Sequence, residues 1–305
     1  MKQFNLKEAA LMLGATAFVA FSSCSNAEEL LNQVEQGRGV TVPVRVQVSA
    51  FTMSQSDLPD ALTRSTTDPD PAENDNVQEL TLAFYAGSTE VFKQIQSKSA
   101  PATYETFGEF SCDLPAGTYT MVVVGRDHHD GDEFSLTSPT AAEYTSERAR
   151  ETFCKTQSVT VTNTEALDID VTLNRVVSLL AVQSTDTRPE EAVKIRVSGS
   201  AGSKRFNPTT GFALGNTGFT VVSTPSNAKI NMAVYTFLVT DEQTMDITLE
   251  VLDASEDVLY RKVIPNVPFR RNRKTTLSGA LFSPSATAAA ITLNTEWLSH
   301  VTVNF

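Results

Sequence analysis

Apolar and polar residues alternate with a period of two along much of the chain, which is the pattern of half-buried β-strands. In residues 40–48, five valines alternate with Thr41, Pro43, Arg45 and Gln47. Because proline has no N–H to donate to a β-ladder, Pro43 favours an edge position for this strand. Similar short runs separated by turn residues recur along the rest of the chain, so the sequence predicts an all-β sandwich protein. These runs are 80–86, 91–95, 119–124, 167–173, 193–197, 231–239 and 245–252.

One stretch of the body predicts a helix instead. Residues 138–154 begin with Ser-Pro and continue with Tyr144, Arg148 and Phe153 among helix-forming residues. We therefore expect one short helical insertion within the first part of the fold.

A change of pattern near residue 174 predicts a domain boundary. The alternation gives way there to an almost continuous apolar run, which is typical of a strand covered on both faces. The length also suits two domains. We predict two β-sandwich domains at 40–174 and 175–305.

The first residues have the layout of an export signal. Lys2 and Lys7 precede an apolar run at 9–21, which is shorter than the roughly 20 residues of a membrane-spanning helix. Small residues then lead to Cys24 in the order Ala-Phe-Ser-Ser-Cys, as in a bacterial lipobox. We expect a lipoprotein signal peptide at 1–23 and attachment of palmitate or similar chains at Cys24. The alternative is an ordinary secretory signal that leaves Cys24 as a free thiol.

Residues 24–39 are predicted to be a polar tether. The tether ends in Gly-Arg-Gly around Arg38, an accessible site for a trypsin-like protease. The alternative is a flexible tether that stays uncut.

The formal net charge of −12 narrows the possible partners. An acidic protein is a poor ligand for nucleic acid and for anionic lipid surfaces. Attachment to a membrane must then come from the lipid on Cys24.

The remaining cysteines, Cys112 and Cys154, allow two alternatives. In an exported protein they could form a disulfide. They could equally be two separate buried thiols.

The sequence offers no catalytic constellation. It lacks the nucleophile-elbow, phosphate-loop and zinc-protease motifs, and histidine occurs only at 128, 129 and 300. The acidic loop 127–133 is the best cation candidate, but its spacing differs from an EF-hand and a solvated hairpin loop explains it as well. We expect neither enzyme activity nor a cofactor nor a metal.

Two further features have alternative explanations. The basic cluster at 270–274 could meet an acidic partner or could be a charged strand connection. Trp297, the only tryptophan, is expected to pack inside the protein.

Several segments together resemble the FimB-type fimbrial anchor lipoproteins of Bacteroidales. Their order along the chain is the lipobox Cys24, the polar tether, the alternating first strand, LPAGTY at 114–119, LNRVVSLLAV at 173–182, VPFRRNRKTTLSGALF at 267–282 and NTEW at 294–297. The resemblance implies two tandem transthyretin-like β-sandwich domains and a surface-exposed position at the cell outer membrane. It also implies that other fimbrial subunits are partners and bind by β-strand donation. In this family an arginine-specific protease clips stalk subunits, whereas anchor subunits keep their lipid.

We therefore expect a lipid-anchored fimbrial subunit with a role in cell adhesion, as an anchor or accessory component. Strand 40–48 would lie beside a subunit groove, and residues 301–305 would be the strand nearest a pairing surface. The alternative is a surface glycan-binding lipoprotein, which would need exposed aromatic side chains.

Overall fold

The computed structural model of the 305-residue chain describes residues 40–52, 74–129, 131–146, 148–283 and 290–294. These residues form strands and one 3₁₀ turn, Pro101–Thr103, so the predicted all-β class is confirmed. In the same part of the chain, no helix has the length and apolar character needed to cross a bilayer. The strands are β1 (Thr41–Thr52), β2 (Glu79–Ala86), β3 (Thr89–Ser97), β4 (Glu109–Pro115), β5 (Gly117–Arg126), β6 (Phe134–Ser138), β7 (Ala141–Tyr144), β8 (Thr152–Val161), β9 (Leu167–Arg175), β10 (Ser178–Ser184), β11 (Lys194–Gly199), β12 (Arg205–Phe206), β13 (Phe219–Ser223), β14 (Asn231–Thr236), β15 (Glu242–Leu252), β16 (Val258–Arg270), β17 (Lys274–Gly279) and β18 (Ala290–Asn294).

The first half of the fold is one curled sheet of seven strands. Their order is β3-β2-β5-β8-β9-β1-β4. Six of these strands, all except β3, supply buried apolar residues to one core, among them Phe51, Leu82, Phe110, Met121 and Val171. Because β1 and β4 share this core with β2 and β5, the sheet must curl around it.

A single side chain joins the two edge strands of the curled sheet. Gln96 of β3 is fully buried. Its Nε2 donates to the carbonyl of Glu109 (2.6 Å), and its Oε1 accepts from the N–H of Gly108 (2.8 Å). The amide of Gln96 therefore satisfies backbone groups at the start of β4 that another strand would otherwise have to satisfy.

The Leu-Pro-Ala-Gly-Thr-Tyr segment at 114–119 forms the turn between β4 and β5. Tyr119 is buried, and its hydroxyl donates to the Pro115 carbonyl (2.8 Å). Burial, reinforced by the nearby Cys112, raises the pKa of Tyr119 to about 12. The hydroxyl therefore stays a donor and holds the turn closed.

The second half is a sandwich of two four-stranded sheets, with the orders β14-β10-β17-β18 and β13-β11-β15-β16. Alternate residues of both sheets point inward, and Leu180, Val197, Val234, Ile247 and Phe269 contribute to the core. This is the two-layer packing expected from short alternating strands.

The two halves meet over a third apolar cluster. The chain leaves the first sheet at Arg175 and enters β10 at Ser178, so only two residues connect the halves. Tyr85 and Tyr144 of the first half pack there with Phe206 and Phe237 of the second. The rings of Phe206 and Phe237 stack with centroids 4.3 Å apart. In addition, β12 pairs with β7, so the three-stranded sheet β12-β7-β6 contains strands from both halves.

The predicted helix at 138–154 is wrong. β6 and β7 form a hairpin around Pro139 and Thr140, and β8 begins at Thr152. Ala142 and Tyr144 are buried while Ala141 and Glu143 are only half-buried, and only an extended chain places alternate residues on one face. Packing at the joint has therefore overridden the helix propensity of this segment.

The predicted edge position of the first strand is also wrong. β1 is an interior strand, antiparallel to β4 and parallel to β9. Pro43 is tolerated because pairing with β9 begins only at Val44, so the second ladder needs no N–H from Pro43.

Candidate functional site

The first described element behind the predicted tether is β1, and the candidate site is this strand with its neighbours β4 and β9. Several predicted site residues lie outside the described residues. They are the acylation residue Cys24, the protease candidate Arg38, the tryptophan Trp297 and the C-terminal strand 301–305.

β1 holds the first core together through its alternate side chains. Val42, Val44, Val46 and Val48 are at most 5% exposed, whereas Val40 just before the strand is 71% exposed. Both flanking strands pair along β1. Withdrawing β1 would therefore leave a slot between β4 and β9, lined by apolar side chains and bordered by two rows of unpaired backbone groups. A slot of this kind can accept a strand from another chain.

The outer face of this site is polar and acidic. Arg45 of β1 lies opposite Asp168 of β9 and Ser111 of β4. Gln47 lies opposite Asp170 and Glu109 in the same way. All of these residues are exposed, so only the inner side of β1 is apolar.

Cys112 and Cys154 are separate thiols in the structure. Their strands, β4 and β8, are three positions apart in the sheet, or about 14 Å at the usual strand spacing, whereas the Cα atoms of a disulfide lie within about 7 Å. Cys112 packs on the first core, and Cys154 belongs to the cluster between the halves on the opposite face. Burial raises the pKa of each thiol to about 12, and the charge of Asp113 adds to the shift of Cys112.

Two carboxylates of the acidic loop that follows β5 have partners within the protein. Both carboxylate oxygens of Asp132 bind Arg150, at 2.7 and 3.0 Å. His129 Nε2 lies 3.0 Å from Asp127 Oδ2. Across the described parts of the chain, no group of His, Cys, Asp and Glu side chains is arranged to hold a metal.

The basic cluster forms the turn between β16 and β17. Arg270 pairs with Glu242, and Arg271 pairs with Asp241 at 2.6 Å. Arg271 also lies over the ring of Phe212, 4.5 Å from its centroid. Arg270 and Arg271 thus have partners within the chain, which supports the strand-connection explanation.

The joint between the halves contains a buried ion pair that sequence reasoning missed. Arg175 Nη2 lies 2.6 Å from Glu151 Oε1, and the two side chains are 0% and 5% exposed. Burial raises the pKa of Glu151 and lowers that of Arg175, while the attraction between the charges opposes both shifts. A single arginine in the run Leu-Asn-Arg-Val-Val gives no sequence signal of its partner, which lies 24 residues away.

The described part of the chain exposes five large apolar side chains, and three of them lie on β16. They are Val258, Leu259 and Val263, at 37–54% exposure. β16 is an edge strand of its sheet, but Pro265 and Pro268 have no backbone N–H, so the row of N–H donors along the strand is interrupted there. Within β16, only the first half therefore has a continuous row of N–H groups, and its outer edge pairs with no other described strand.

A model of a family of unknown function, DUF6562, matches residues 38–302. This chain belongs to the DUF6562 family. The match begins at the end of the predicted tether and includes every described strand of this DUF6562 protein. No curated protein sequence matches the chain.

Solved structures with very different sequences are similar to this DUF6562 protein. A proposed polysaccharide-binding protein from Bacteroides thetaiotaomicron is 13% identical with a TM-score of 0.51, over 84% of this chain and 96% of that chain. The fimbrial anchor protein Mfa2 from Porphyromonas gingivalis is 15% identical with a TM-score of 0.47, over 85% and 99%. The tip fimbrial protein Mfa3 from the same organism is 13% identical with a TM-score of 0.39, over 84% and 100%. At 13% identity, the similarity to the Bacteroides thetaiotaomicron protein shows a shared fold.

Proposed function

We propose that this chain is a lipid-anchored subunit of a cell-surface fimbria, attached to the outer membrane through Cys24 as an anchor or accessory component. The resemblance to FimB-type anchors supports this proposal through the order of its segments from the lipobox to the C-terminal NTEW. In this proposal the two halves are transthyretin-like sandwiches, and other fimbrial subunits are the partners.

The observation that carries the proposal is the position of β1. It is the first strand behind the tether, it lies between two paired neighbours, and its inner side chains fill the core. A strand in this position can be exchanged for a strand from another subunit that has the same alternation of apolar and polar residues. Such a strand would restore the apolar contacts and both ladders. Cleavage at Arg38 would free its leading end, whereas an uncut tether would keep it in place.

We also propose that the protein has no catalytic role. Three of its least exposed charged side chains, Arg126, Arg150 and Arg175, form ion pairs with neighbouring carboxylates at 2.6–2.8 Å. Ion pairs of this kind hold a fold together, so these side chains have a structural role.

A fimbrial subunit is favoured over a glycan-binding protein by the character of the surface. The five large apolar side chains exposed in the described residues are all aliphatic, whereas sugar platforms are aromatic. We expect no binding on a glycan array. Binding that is lost when one exposed aromatic residue is replaced would favour the alternative.

Mass analysis of the membrane-extracted protein tests the anchor directly. We expect a mature chain that begins at an acylated Cys24, and we expect a Cys24→Ala variant to be released from the membrane fraction. A chain that begins at Gly39 would show cleavage after Arg38 and a stalk-like role. An unmodified Cys24 in a membrane-free protein would contradict the proposal.

Deletion of residues 301–305 tests the proposed pairing strand. If these residues contact the next subunit, the shortened protein should fold and reach the membrane but should not support fibre assembly. Normal fibres from a folded, shortened protein would refute this role.

A further inference from the structure

The turn between β16 and β17 inserts into the joint between the two halves. The N–H of Asn272 donates to the Val177 carbonyl (2.9 Å), and the N–H of Leu179 donates to the Arg273 carbonyl (3.1 Å). Asn272 is itself buried and has a φ of 56°, in the left-handed region. This strained residue is therefore held against the two-residue connection between the halves.

Arg175 reaches this turn from the first half. Its Nη1 donates to Oδ1 of Asn272 (3.2 Å), while its Nη2 binds Glu151 (2.6 Å). The guanidinium also lies over the ring of Phe153, 4.9 Å from the centroid. One fully buried cation is thus held by a carboxylate and a ring of its own half and by an amide of the other half.

The apolar cluster would not by itself fix the orientation of the halves, because hydrophobic contact is not directional, and the β7–β12 ladder adds only two residue pairs. Hydrogen bonds to a buried charge are directional and costly to break. Opening the joint would break the hydrogen bond from the guanidinium to the Asn272 oxygen. The closed joint is therefore favoured in one orientation.

We infer that Arg175 is a latch that makes the two halves one cooperative, rigid unit, with Glu151 as its fixed side and Asn272 as its releasable side. The second half then cannot open or rotate separately while Arg175 bridges the joint. This inference concerns the mechanics of the fold and does not require the proposed fimbrial role.

Native-state hydrogen exchange on the full chain, followed by mass spectrometry, tests the latch. Peptides from β2 and β5 report on the first half, and peptides from β11 and β15 report on the second. In the unaltered protein we expect the slowest amides of both halves to share one opening equilibrium. Asn272→Gly keeps the left-handed turn but removes the acceptor. In this variant we expect the opening equilibrium constant of one half to exceed that of the other by about tenfold. In Arg175→Met we expect the opening equilibrium constants of the two halves to differ by a factor on the order of a hundred or more.

Arg196→Met is the matched control. Arg196 pairs with Glu250 at 3.1 Å on the surface of the second half, away from the joint, so its loss should leave the shared opening intact. If Arg175→Met fails to fold, Asn272→Gly decides the question. Independent opening of the halves in the unaltered protein, or shared opening retained in Asn272→Gly, would overturn the latch.

Discussion

Individual buried residues in this protein have roles that depend on partners far away in sequence. Arg126 reaches Glu79, and Gln96 reaches Gly108 and Glu109. Arg126 ends the apolar strand β5 and Gln96 lies in the mostly polar strand β3, so the sequence places both on the solvent side. The partner is decided only when strands from different parts of the chain come together.

At the residue scale, Phe206 should contribute strongly to stability. Its ring is fully buried and stacks on Phe237 at the joint. We expect Phe206→Ala to lower the free energy of unfolding by about 3–5 kcal/mol, through lost apolar contact and the cavity left behind. Denaturant unfolding would measure this loss. Val263→Ala, at a side chain 54% exposed, should change stability by less than about 0.5 kcal/mol. Equal effects of the two substitutions would contradict the burial of Phe206.

Cys112 and Cys154 should be unreactive in the folded protein. With both pKa values raised to about 12, the thiolate fraction at pH 8 is on the order of 10⁻⁴. In a Cys24→Ser chain, we expect labelling by N-ethylmaleimide to be slow at pH 8, faster as the pH rises, and complete after unfolding. The folded state holds these protons more tightly than the unfolded chain. Their contribution to stability is therefore full below about pH 9 and lost as the pH rises towards 12. Rapid labelling of the folded protein at pH 8 would contradict the burial.

At the scale of elements, β-strands were predictable and their neighbours were not. The alternation of valines places β1 correctly, and the same pattern finds β2, β5, β9 and β15. Pro43 suggested an edge, yet β1 is interior, and Pro43 is tolerated there because β9 begins to pair one residue later. Residues 138–154 contain helix formers, but the joint selects a hairpin because it buries alternate residues.

Gln96 should determine how well the edges of the curled sheet stay closed. We expect Gln96→Ala to destabilise the protein by about 1–3 kcal/mol, because the Glu109 carbonyl and the Gly108 N–H lose their shared partner. We expect faster hydrogen exchange at the start of β4 in particular. Gln94→Ala, on the same strand but two residues earlier, is the control and should leave that exchange unchanged. Unaltered exchange at Gly108 in Gln96→Ala would show that the side chain does not close the sheet.

At the scale of the whole molecule, the two halves share a core and a sheet. The cluster between them contains side chains from both, and β12 of the second half extends the β6–β7 hairpin of the first. A protein built in this way resists bending at the joint between its halves. This property suits the proposed place at the base of a fibre.

Each half alone should be less stable than the intact protein. A chain of residues 175–305 would expose Val176, Val177, Phe206 and Phe237 to water, an apolar surface that the first half covers. We expect this fragment to bind a hydrophobic dye and to lose the dye when residues 40–174 are added. Gel filtration should then show a complex of the two fragments. A fragment that remains monomeric and dye-free would indicate that the shared cluster is dispensable.

The sequence by itself determined the all-β class, the positions of most strands and the change of pattern near residue 174. These follow from local alternation and turn residues, which act over a few residues and can be recognised without knowing the neighbours. Only the tertiary structure decided that β1 is interior, that residues 134–144 form a hairpin, that Cys112 and Cys154 lie apart, and that Arg175 bridges the joint. Each of these depends on which distant strands become neighbours. That choice is made by burial of the whole apolar surface at once, so no local pattern encodes it.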